Sequence, residues 1–143
     1  MLIHGSCHCR NIAFVLDWKS QPVEIPARAC TCSFCVKHGG VWTSCPGGSL
    51  HVTVRDASRV AEYAFETQTA QFQICTVCGA VPLVTSRIDG RLYAVVNVNA
   101  FDDVDAALLN RLPLTVGDED EATRLARRAR NWIGKVEIGH QAL

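Results

Sequence analysis

The 143 residues are about one domain's worth, and 48% of them are apolar, enough to bury a core. Formal charge is zero with histidines counted neutral, which argues against a nucleic-acid or acidic-membrane partner, since each calls for a basic excess. From Met1 to Cys7 the chain has neither the basic nor the apolar stretch of a secretory leader, and no apolar run approaches the ~20 residues of a spanning helix. A cytoplasmic chain without a membrane partner, folded as a single domain over 1–143, is therefore expected.

Short stretches with period-two alternation dominate the first hundred residues. Ile12 to Leu16 is the first, and Val41 to Ser44, Leu50 to Val54 and Ala61 to Phe65 follow. Gln71 to Ile74, Val81 to Thr85 and Leu92 to Val98 are further β-rich runs. Turn signals such as Pro46-Gly47-Gly48 and Asp89-Gly90 separate them. Beyond these, Asp103 to Leu112 places Val104, Leu108 and Leu112 at helical spacing before Pro113, which predicts a short amphipathic helix. Asp118 to Asn131 predicts a second, with Ala122, Leu125, Ala126 and Ala129 as its apolar stripe. Its acids lie at the start and Arg124, Arg127, Arg128 and Arg130 toward the end, matching the helix dipole, so a solvated helical end is expected over arginines that bind a ligand's carboxylates or a nucleic acid. A mainly β architecture with short C-terminal helices follows, the cysteine clusters falling at strand ends or loops.

Eight cysteines carry the chemistry. A reducing compartment keeps thiols free, and a chain of this size needs no disulfide staples, so metal binding is the better account. Cys7-His8-Cys9, Cys30-Thr31-Cys32-Ser33-Phe34-Cys35 and Cys75-Thr76-Val77-Cys78 are tight clusters; Cys45 stands alone as a small buried hydrophobe. In Cys75-x-x-Cys78-Gly79 the two intervening residues let both sulfurs face one ion, and the glycine suits the left-handed turn that follows. A second ligand pair comes from Cys7 and Cys9 or from members of Cys30, Cys32 and Cys35. Seven sulfurs cannot fill two four-sulfur sites. The most economical partition joins Cys7, Cys9, Cys75 and Cys78 in a closed structural site and leaves Cys30, Cys32 and Cys35 as an open, catalytic type of zinc site. The competing arrangement adds His38, Cys45 or His8 as a fourth ligand and makes both sites structural. With seven thiolates and two divalent ions the protein would carry about three negative charges.

Gly5-x-Cys7-x-Cys9, Cys30-x-Cys32-x-x-Cys35 and Cys75-x-x-Cys78-Gly79 together resemble the glutathione-dependent formaldehyde-activating enzymes and the centromere protein V-like proteins, from about Gly5 to Phe101. The resemblance implies an Mss4-like β-tent, with structural zinc on Cys7, Cys9, Cys75 and Cys78 and catalytic zinc on Cys30, Cys32 and Cys35. It also implies a carbon-sulfur lyase activity like that of S-(hydroxymethyl)glutathione synthase. A small thiol, glutathione or similar, and formaldehyde or another small aldehyde would be its partners. The chain departs from the usual family pattern at Ser6, Arg10, Thr31 and Val36, where members commonly have Gly, Gly, His and Arg.

Other residues draw plainer readings. His8 and His38 flank the clusters as solvated or supporting residues, while His51 and His140 have no assigned role. Trp42 follows the triad and is a candidate pocket wall. The rival to an enzyme is a zinc-stabilised protein-binding module, and rubredoxin-like iron in the four-cysteine site is a weaker third reading. Oligomeric state stays open.

Overall fold

The structure is a computed structural model that describes residues 1–140. In chain order its elements are β1 (Leu2–Ser6), β2 (Ile12–Asp17), β3 (Ile25–Cys30), α1 (Ser33–His38), β4 (Val41–Thr43), β5 (Ser49–Val54), β6 (Val60–Tyr63), β7 (Gln71–Cys75), β8 (Leu83–Ile88), β9 (Arg91–Asn97), β10 (Leu109–Leu114), α2 (Glu121–Asn131) and β11 (Val136–His140). They make a four-stranded sheet in the order β1-β2-β5-β11 and a seven-stranded sheet in the order β10-β3-β4-β9-β8-β7-β6. The fold is mainly β and of the Mss4-like class, as expected. Most pairings are antiparallel, but β10 runs parallel to β3 and β11 parallel to β5.

Alternation in the sequence decides which faces are buried. Ile3, Ile12, Phe14, Leu16, Leu50 and Val52 point from the small sheet into a core completed by Leu83, Ala94 and Val96 of β8 and β9. The centre of the large sheet is buried on both faces. In the register Val84↔Val95, the side chains between those core residues project the other way and join Trp42, Phe72 and Cys35 in a second apolar cluster. That second face carries the candidate site.

The region from Asp103 to Leu112 is not a helix. Asp105 caps a single 3-10 turn, Ala106–Leu108, and the chain then extends as β10 beside β3. Leu109 packs on the core while Leu112 stays half exposed, so non-local pairing overrides the helical spacing. Pro113 is tolerated because β10 is an edge strand, where a missing N–H can face away from the ladder. α2 forms where expected, with Asp120 as its N-cap accepting from Thr123 N at 2.7 Å.

Candidate metal centres

Cys7 and Cys9 lie in the loop after β1, Cys75 closes β7, and Cys78 follows in the turn. The turn is the knuckle the spacing implies: Gly79 takes φ 78°, and its N–H donates to Cys75 O at 2.8 Å. Across the loop, Arg10 adopts φ 69° and donates its N–H to Cys7 O at 3.1 Å. The four sulfurs converge within 4.8 Å of one another, with Cys7 and Cys9 3.8 Å apart and Cys9 and Cys75 3.4 Å apart. A tetrahedral ion with metal–sulfur bonds of about 2.3 Å sets sulfurs roughly 3.8 Å apart, so the donor set and spacing suit a metal such as zinc. The Ile12 N–H, 3.3 Å from Cys7 Sγ, is a donor for a charged sulfur.

The thiols divide charge unevenly. Burial pushes Cys7 up to about 12, against the Ile12 N–H. Burial also opposes ionisation of Cys78, yet the N–H groups of Ala80 and Cys9 and the Cys75 and Cys7 thiols outweigh it and bring Cys78 down to about 6. Burial raises Cys75 as well, so Cys7 and Cys75 resist the charge that Cys78 takes, and a cation between the sulfurs would favour it.

Cys30, Cys32 and Cys35 form the second cluster, their sulfurs also within 4.8 Å. Cys30 ends β3, and Cys32 caps α1 by accepting from Cys35 N at 3.4 Å. Cys35 is inside α1 rather than in a loop, because the i to i+3 spacing that serves a metal also serves one helical turn. The Trp42 indole N–H donates to Cys35 Sγ at 3.4 Å. The Cys35 thiol, with the Cys32 N–H and Arg127, pulls Cys30 down to about 6, while a charged Cys30 and burial push Cys35 far above the ordinary thiol range. Thr31 anchors the loop, its N–H and hydroxyl both donating to Leu114 O, at 3.0 and 3.2 Å.

None of the three alternative fourth ligands joins this cluster. Cys45 Sγ donates to Trp18 O at 3.1 Å and packs on the opposite core. His38 stacks on Phe34 at 4.4 Å between ring centroids, and burial lowers its pKa. His8 is exposed on the side of the four-cysteine cluster.

A cavity of about 170 Å³ opens beside the triad. Arg28 and Cys30 share one face of β3, and Trp42 stands opposite Arg28 in the register. Phe72, Val84 and Val95 make an apolar floor. The remaining wall comes from α2, whose orientation reverses the expected one: Arg124 and Arg128 are buried, whereas Ala122, Ala126 and Ala129 are exposed. Arginine stems cover more apolar area than alanine methyls, and their heads find partners in the wall, so the arginine face packs inward. No sequence signal separated this face from an ordinary solvated one.

Residues 2–112 match the family described as glutathione-dependent formaldehyde-activating enzyme, abbreviated GFA. The chain belongs to this family. A crystal structure of a Rhodobacter sphaeroides protein is similar to this GFA chain at 29% identity, covering 79% of it and 99% of that chain, with a TM-score of 0.57. No curated protein matches it. The family match ends at residue 112, before α2 and the three arginines it brings to the cavity. Among the described residues, no helix is long and apolar enough to cross a membrane.

Proposed function

We propose that this GFA protein binds two zinc ions and reversibly adds a small thiol, glutathione or similar, to formaldehyde or another small aldehyde, a carbon-sulfur lyase type of reaction. Cys7, Cys9, Cys75 and Cys78 hold the closed structural zinc, and Cys30, Cys32 and Cys35 hold the catalytic one with its fourth position free. The observation that carries the reading is that only the triad lines the apolar cavity; the four-cysteine cluster stays outside it. Zinc at the triad would supply the charge that keeps an incoming thiol ionised near neutral pH. We also take residues 1–143 as one working domain, because α2 walls the cavity that β3 and β4 begin. Seven thiols in metal-binding clusters suit a reducing, cytoplasmic setting.

The chain's own residues place and shield the reactants. Trp42 fixes Cys35 through its N–H, and Thr31 fixes the loop that carries Cys30 and Cys32. Phe72, Val84 and Val95 exclude water from the side where a small carbonyl would lie. The thiolate sulfur's electron pair forms the C–S bond, the carbonyl π pair moves to oxygen, and that oxygen takes a proton from water at the cavity mouth. Holding the two reactants within contact distance converts a bimolecular addition into a local one.

The test is exchange between formaldehyde and its thiol adducts, followed at low reactant concentration with protein shown to carry both zincs. Acceleration over the spontaneous reaction, abolished by Cys32→Ser, is expected. No acceleration with glutathione or any other small thiol would leave the chain a zinc-stabilised binding module.

A further inference from the structure

The cavity wall contains more positive charge than its own acids answer. Arg127 is held by both carboxylate oxygens of Glu119 at 3.0 Å, and Arg124 lies 3.5 Å from a Glu66 carboxylate oxygen. Arg124 also reaches the carbonyls of Val116, Gly117 and Glu119. Arg128 and Arg28 have no carboxylate partner among the described residues. Arg128 is 7% exposed, donates from Nη1 to Thr69 Oγ1 at 2.9 Å and Ser86 Oγ at 3.3 Å, and lies 5.0 Å over the Trp132 ring. Among the described residues, its buried Nε has no hydrogen-bond partner, and half-buried Arg28 has only the Ser44 hydroxyl, at 3.5 Å.

Burying a guanidinium against neutral hydroxyls is costly, and among the described residues no carboxylate in this wall offsets it for Arg128. The cost shows in Arg128 itself, brought down to about 10 by burial and by the nearby charges of Arg127 and Arg124. The carbonyl end of α2 amounts to about half a negative charge, too little for two arginines.

We propose that the cavity beside the three-cysteine cluster binds a small carboxylate through Arg128 and Arg28, so that one reactant carries a carboxylate a short chain away from its reacting atom. This deepens the proposed function and rests on it for the word reactant, though not for the site. A planar guanidinium fork suits the two oxygens of a carboxylate, and both Arg128 and Arg28 line this cavity. The cavity of about 170 Å³ falls below the ~300–1,000 Å³ of sites for larger ligands, and its floor is apolar, so the rest of the molecule is a few carbon or sulfur atoms. Of the two arginines, Arg28 lies within the family match and Arg128 beyond it.

The experiment is a titration of the zinc-loaded full chain, read by the fluorescence of Trp42 and Trp132 in the cavity wall and by calorimetry. The probes are propionate, 3-mercaptopropionate, 2-mercaptoethanol, glyoxylate, glutathione and inorganic phosphate. Propionate should bind, and 3-mercaptopropionate should bind about tenfold or more tightly than 2-mercaptoethanol. Arg128→Gln should erase that difference, Arg128→Lys should keep part of it, and Arg130→Gln, on the exposed side of α2, should keep all of it. If Arg128→Gln does not fold, Arg28→Gln provides the same comparison from a half-buried position. A loss confined to 3-mercaptopropionate or to glyoxylate supports the site and tells which reactant carries the carboxylate. Equal binding of the two thiols, carboxylate binding untouched by both arginine variants, tighter binding of phosphate, or binding of glutathione alone would overturn it. Propionate has no thiol, so its binding survives a failure of the thiol–aldehyde reading, and the two failures are distinguishable.

Discussion

Trp42 donates to Cys35 Sγ while its ring walls the cavity, so it links the candidate metal ligands to the binding space. Replacing it with phenylalanine keeps most of the apolar surface and removes the donor. Groups that support metal ligands in this way typically alter affinity by 10–100-fold. Trp42→Phe should therefore weaken zinc at the triad about tenfold in a chelator competition and leave the four-cysteine site unchanged; equal retention at both sites would show that the N–H is dispensable. The candidate ligands were legible residue by residue, because short sulfur spacings and the glycine after Cys78 are local signals. Trp42 was legible as a pocket wall, and its bond to Cys35 was not. The burial of Arg128 was not legible, because the pairing that fixes Thr69 and Ser86 beside it is non-local.

The short elements show the same division. β2 and β5 follow from alternation in their own residues. β10 exists because it pairs with β3, about eighty residues earlier, and its own spacing reads as a helix. For α2 the boundaries are written locally: Asp120 caps it, and Arg128 and Arg130 occupy its last turn. Its inward face is not, since a scale that counts arginine as polar ignores the apolar stem. Asp120→Ala removes an N-cap typically worth ~1 kcal/mol, so hydrogen exchange of the amides from Leu125 to Asn131 should speed up about fivefold. Unchanged exchange would mean that the arginine contacts, rather than the cap, hold the helix in place.

At the scale of the whole molecule, folding brings Cys7 and Cys9 to Cys75 and Cys78 and so joins the start of the chain to β7, next to the edge of the large sheet. The other three sulfurs lie along one short stretch, from the end of β3 through the cap of α1 into its first turn, and open onto the second face of that sheet. The ordering of the three clusters carried the family and the β-rich class in advance, while the parallel strand pairs and the arginine wall needed the folded chain. Two metal centres of different coordination are the central claim, and anomalous scattering at the zinc edge from crystals of the zinc-loaded protein tests it most directly. Two ions are expected, one with four protein sulfurs from Cys7, Cys9, Cys75 and Cys78 and one with three, from Cys30, Cys32 and Cys35, completed by a ligand that is not part of the protein. A single ion, or a fourth protein ligand at the triad, would contradict the account.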